Sequence, residues 1–87
     1  VVWVYILQSE TTGGTYVGQT EDLGRRLAEH NDPTNHRSLH TKRRPGPWLL
    51  LHAEPFPTRA EAMRRERELK TGKGRDWISR LVREKSG

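Results

Sequence analysis

Five residues have the types and spacing to do chemistry together: Tyr5, Tyr16, Arg26, His30 and Glu66. Tyr5 and Tyr16 stand eleven apart on either side of a turn, so antiparallel pairing can bring their rings to one face. Their plain reading is two strand tyrosines that fill a sheet. Gly18, just beyond Tyr16, weakens a strand and so marks a bulge or a place where a ligand nears the backbone. Arg26 and His30 lie four apart and share a helix face. A guanidinium there can clamp a phosphate through its fork of N–H donors, or serve a structural ion pair. Glu66 falls three after Met63 and three before Leu69, on the inward stripe of a helix. Its neighbours Glu61, Arg64, Arg65 and Glu68 take outward positions. An inward carboxylate must be paired, protonated or bound to a cation. Arg26 or Lys70 could pair with it, or it could hold a magnesium ion that keeps several waters.

Other chemistries lack their residues. There is no cysteine, so thiolate zinc sites, disulfides and Cys nucleophiles are excluded. No glycine loop cradles phosphates, no Ser–His–Asp order is present, and paired acids for two-metal chemistry are missing. His36 and His40 sit at helical spacing but have no third ligand for zinc. Phosphate contact, proton transfer and an idle surface position remain open for them.

The elements that must position these groups can be read along the chain. Val2–Leu7 is β-branched and aromatic, hence a buried strand. A turn at residues 10–14 leads into a second strand, 15–20, completing a hairpin. Thr20 or Asp22 caps a helix whose stripe is Leu23, Leu27 and His30, ended by Asn31-Asp32-Pro33. Residues 33–47 read as a long basic loop. Trp48–Glu54 is a third strand, and Pro55-Phe56-Pro57 a hinge. Thr58, with Glu61 three residues on, opens a helix over 59–70 whose inward side is Ala62, Met63, Glu66 and Leu69. Gly72 is its C-terminal stop. Gly74-Arg75-Asp76 starts a last helix, with Trp77, Ile78, Leu81 and Val82 inward. The expectation is one α+β domain over residues 1–87: a small three-stranded antiparallel sheet flanked by helices, in the order β-β-α-β-α-α.

Composition sharpens the question of partner. The 87 residues carry a net charge of +5, yet residues 1–32 hold five acids against two bases. Residues 33–47 hold four bases and no acid, and 59–87 hold ten bases and five acids. A positive face built from the loop and the C-terminal helices suits a nucleic-acid binder, with a merely solubilising surface as the plain alternative. Leu, Ile, Val and Phe total only 17, close to the level of disordered chains, but they fall on strands and stripes. No apolar run is long enough to span a bilayer, and a cytoplasmic protein without a membrane role is expected.

The set also resembles the GIY-YIG nuclease family over nearly the whole chain. Trp3-Val4-Tyr5 stands for the first motif and Tyr16-Val17-Gly18 for the second. Arg26 and His30 match the family arginine and histidine, and Glu66 its metal-binding glutamate. His40-Thr41-Lys42 and the stretch from Lys70 to Trp77 are similar to small bacterial members of URI type. Trp3 replaces the glycine of the first motif, and an asparagine late in some members has no match. The resemblance implies a metal-dependent DNA endonuclease, with Glu66 holding Mg²⁺ or Mn²⁺. Tyr5, aided by Tyr16 or His30, would take a proton from the attacking water, and which of the three is the base stays open. For Tyr5 to do so, nearby positive charge must lower the phenol's pKa, which Arg26 could do while it stabilises the transition state. Gly18, His40, Lys42, Arg43, Arg44, Lys70, Lys73 and Arg75 are the expected nucleic-acid contacts. No groove-reading helix is visible, so single-stranded or branched DNA is the expected substrate, RNA stays open, or a protein partner supplies the choice. DNA repair or recombination is the family-level role. The alternative is a module of the same fold that binds nucleic acid without turnover. A protein-binding adaptor would instead need an exposed apolar patch, which the sequence does not reveal.

Overall fold

The computed structural model describes residues 1–32 and 47–86. Most of the basic segment 33–47, with His36, His40, Lys42, Arg43 and Arg44, lies outside the described residues. The elements are β1 (Val2–Ser9), β2 (Thr15–Thr20), α1 (Leu23–Asn31), β3 (Trp48–Phe56), α2 (Arg59–Leu69) and α3 (Gly72–Ser86). β1 is the central strand of an antiparallel sheet in the order β2-β1-β3. It is buried on both faces, which explains its unbroken apolar and aromatic sequence.

The two faces differ in what covers them. Val2, Val4 and Ile6 of β1 join Val17, Ala62, Leu69 and Ile78 in a core beneath α2 and α3. On the opposite face Tyr5, Leu7 and Trp48 form a second cluster under Leu23 and Leu27 of α1. Trp48 reaches that face because of a slip in strand register. Ile6 pairs with His52 but Leu7 with Leu50, so Leu51 is an extra residue and the side chains before it change sides. Leu49 and Leu50 are left largely exposed on the outer strand.

Local chemistry sets the ends. The Asp22 carboxylate accepts from the Arg25 amide at 3.1 Å, so Asp22, not Thr20, caps α1. Asn31 closes the same helix by gripping the Trp48 backbone twice, accepting from its N–H at 2.7 Å and donating to its carbonyl at 3.0 Å. Thr58 caps α2 through the Glu61 amide.

Four expectations need correction. Pro55-Phe56 is no hinge but the end of β3, tolerated because β3 is an outer strand. Gly72 does not stop α2; it begins α3, and Lys70-Thr71 makes the break. Thr71 does the capping there, donating to the Glu68 carbonyl at 2.6 Å and accepting from the Gly74 amide at 3.3 Å. Gly74 is the glycine the corner requires, because a Cβ would collide with the Glu68 carbonyl and the Leu69 backbone. Finally, Met63, expected inward, is 40% exposed, whereas Arg65, expected outward, is half-buried against β3 and α3.

Candidate active site

Tyr5 projects from the α1 face of the central strand and is only 2% exposed. It pairs with Gly18, while Leu7 pairs with Tyr16, so the two tyrosines stand diagonally on one face with ring centroids 6.3 Å apart. Gly18 makes room for this. A Cβ there would lie 2.6 Å from the Tyr5 hydroxyl and 2.8 Å from its ring. The space expected for a ligand above Gly18 is thus taken by Tyr5 itself.

Helix α1 brings two groups to the hydroxyl. Arg26 donates from Nε at 3.3 Å, and His30 Nε2 lies 3.0 Å away. Their four-residue spacing turns both toward the sheet. Arg26 can only donate, so the phenol accepts from it and gives its own proton to His30 Nε2, which requires the imidazole proton on Nδ1. Tyr16 packs against the same imidazole at 4.9 Å between centroids. Glu29, which the sequence reading passed over, sits behind Arg26 with an oxygen 3.4 Å from its guanidinium. Its i+3 spacing from Arg26 was the available signal.

Burial dominates the electrostatics. It pushes the Tyr5 pKa up to about 12, and the hydrogen bond and charge of Arg26 oppose this without overcoming it. The expectation that Arg26 lowers the phenol below its usual value is therefore corrected for this state: the ring is too well removed from water. Burial, helped by the Arg26 charge, likewise pushes His30 down to about 4. At neutral pH the imidazole is uncharged and its Nε2 is able to accept a proton.

Glu66 is on α2, with its side chain 22% exposed, and Lys70 Nζ lies 3.3 Å from its carboxylate. Of the two pairings open from spacing, Lys70 is the one formed. Glu66 is near enough to Tyr5 for its negative charge to push the phenol's pKa slightly upward. Thus Tyr5, Tyr16, Arg26 and His30 are in contact, and Glu66 with Lys70 flanks them. Arg75 lines a neighbouring hollow, and Lys73 is exposed on the first turn of α3.

Comparison with known proteins now decides the family. The model of the GIY-YIG catalytic domain matches residues 1–77. This chain belongs to the GIY-YIG nuclease superfamily. A UPF0213 protein of Halobacterium salinarum is 40% identical over 67 residues, covering 77% of this chain and 82% of its own. A UPF0213 protein of Staphylococcus haemolyticus is 36% identical over 69 residues, 79% of each. The solution NMR structure of a UPF0213 protein from Bacillus halodurans superposes with a TM-score of 0.52 at 31% identity, covering 92% of this chain and 83% of that one.

GIY-YIG nucleases generally depend on a divalent metal. Among the described residues no three His, Cys, Asp or Glu side chains gather as a cage. One half-buried carboxylate fits the need of a hard cation that completes its shell with water and phosphate oxygens. Glu66 meets that description, with the ammonium of Lys70 beside it.

Proposed function

We propose that the protein is a divalent-metal-dependent endonuclease that hydrolyses DNA phosphodiester bonds with Tyr5 at the reacting centre. The observation that carries this reading is one buried hydroxyl held at once by Arg26 at 3.3 Å and His30 at 3.0 Å. Any buried phenol needs a hydrogen-bond partner, but one that accepts from a guanidinium and donates to a neutral imidazole also has a route for its proton.

In this reading His30 takes the Tyr5 proton as Tyr5 takes one from the attacking water. The movement is concerted, because a phenol near 12 and an imidazole near 4 strongly disfavour a separate phenolate–imidazolium pair. Arg26 balances charge on the phenol and on the phosphate as attack proceeds. Tyr16 keeps the imidazole in place by packing on it. Glu66 would hold Mg²⁺ or Mn²⁺, and when bound the ion supplies Lewis-acid stabilisation of the leaving oxygen. Lys70, released from Glu66, would meet a phosphate oxygen. Substrate choice follows structure, such as single strands or branches, rather than sequence. A role in DNA repair or recombination accords with that choice.

Incubation with single-stranded, duplex and branched DNA, with Mg²⁺, Mn²⁺ or EDTA, tests this. Nicking should require the metal and fall by about 10²-fold or more in Glu66→Ala and Arg26→Ala. Equal nicking by wild type and Glu66→Ala would overturn it. The second reading, binding without turnover, is favoured by one observation, the Lys70 ion pair that occupies Glu66. It would be supported by metal-independent binding with no nicking under any condition.

A further inference from the structure

Two adjoining hollows separate the β1–β2 turn and β2 from α3. One, of about 460 Å³, is lined by Tyr16, Lys70 and Arg75 among others. The next, of about 590 Å³, runs past Gly13, Gly14, Ser79, Val82 and Arg83. They share Thr15, Arg75 and Ile78, so together they make one groove that leads away from Tyr16 along α3. Arg75, Ser79 and Arg83 recur at helical spacing on the wall of this groove. The two arginines are about 12 Å apart along the axis, a span of phosphates two links apart in an extended strand.

The groove's charge is of one sign. No acidic side chain lines either hollow, and neither Arg75 nor Arg83 is ion-paired among the described residues. The hollow on the far side of Arg26 is different. There Arg25, Arg26 and Arg59 face Glu21, Asp22 and Glu29, and each is paired with a carboxylate. Between its cations the groove along α3 has apolar walls: Val17, Leu69, Ile78 and Val82. A duplex keeps its base faces stacked inside, whereas an unpaired strand offers them to such walls.

The geometry points to this groove as the track for a single-stranded stretch of DNA flanking the scissile phosphate, with Arg75 and Arg83 on phosphates two links apart and Ser79 at the one between them. This rests on the nuclease reading, in which Arg26 and Lys70 meet the scissile phosphate but the flanking strand has no path.

The test is binding of a fluorescent single-stranded oligonucleotide and its duplex, in EDTA so that nothing is cut, across a salt series. The single strand should bind more tightly than the duplex. Arg75→Gln and Arg83→Gln should each weaken it several-fold and reduce the slope of log affinity against log salt by about 0.7. Ser79→Glu should weaken it further, while Arg25→Gln, outside the groove, leaves the slope unchanged. Circular dichroism confirms that each exposed substitution keeps the fold. Unchanged affinity and slope in Arg75→Gln and Arg83→Gln would overturn the track, and so would tighter binding of the duplex. A wild type that nicks DNA while those variants bind normally would sink the track and leave the nuclease. A wild type that binds in the groove but never nicks would do the reverse.

Discussion

Two half-buried arginines on opposite faces of one sheet show how differently the same side chain can be used. Arg65 of α2 is fully engaged. It donates to both oxygens of Glu54, at 2.9 and 3.1 Å, touches Glu68 at 3.3 Å and lies 5.2 Å over the Trp77 ring. His52 completes the set, 2.8 Å from Glu54 and edge-on to Trp77. Burial alone would raise the Glu54 pKa, but the hydrogen bonds of Arg65 and His52 bring it below the usual carboxylate value. Arg26 of α1 instead makes single, longer contacts, 3.3 Å to a neutral phenol and 3.4 Å to Glu29. A bidentate, stacked guanidinium binds β3, α2 and α3 together. One held loosely beside a hydroxyl can turn to a phosphate with little loss.

That contrast fails if the two arginines behave alike. Arg26→Ala should cut the single-turnover nicking rate by about 10²–10³-fold, with DNA affinity reduced far less. Gly18→Ala, which drives a methyl into Tyr5, should cost about 1–3 kcal/mol of stability in urea titrations and also displace the hydroxyl, so rate and fold fall together. Arg65→Ala should act on the fold alone. Breaking its pair with Glu54, partly screened by water, should cost about 1–3 kcal/mol. On a domain of this size that lowers Tm by roughly 5–20 °C, with the rate below the transition nearly kept.

The pH dependence of stability reads the α1 face directly. His30 titrates near 4 folded and near 6.5 unfolded, so the unfolded chain binds more protons between those values. Stability should decline as pH falls from about 6.5 toward 4. Tyr5 is raised from 10 to about 12, so its contribution is complete below 10 and lost as pH rises toward 12. Denaturation across pH should show both limbs, and Tyr5→Phe should flatten the alkaline one.

The elements and the α1-face cluster were legible because their signals are local. β-branched runs, a capping aspartate and the four-residue step from Arg26 to His30 depend on neighbours in sequence. The Arg65 cluster was not legible. It depends on His52 and Glu54 facing α2, and the one-residue slip at Leu51, which divides the strand between the faces, has no mark in composition. The state of Tyr5 was misjudged for a related reason. Spacing put a positive charge beside the phenol, but only packing reveals that burial outweighs it.

The central claim is that the hydroxyl of Tyr5 moves the proton. Tyr5→Phe keeps the ring over Gly18 and removes only that oxygen. Its single-turnover nicking rate and DNA affinity should be measured with the wild type on the same metal-loaded samples, with folding verified by circular dichroism. The account predicts unchanged affinity and a rate lower by about 10²-fold or more. A folded Tyr5→Phe protein that nicks within a few-fold of the wild-type rate would contradict it.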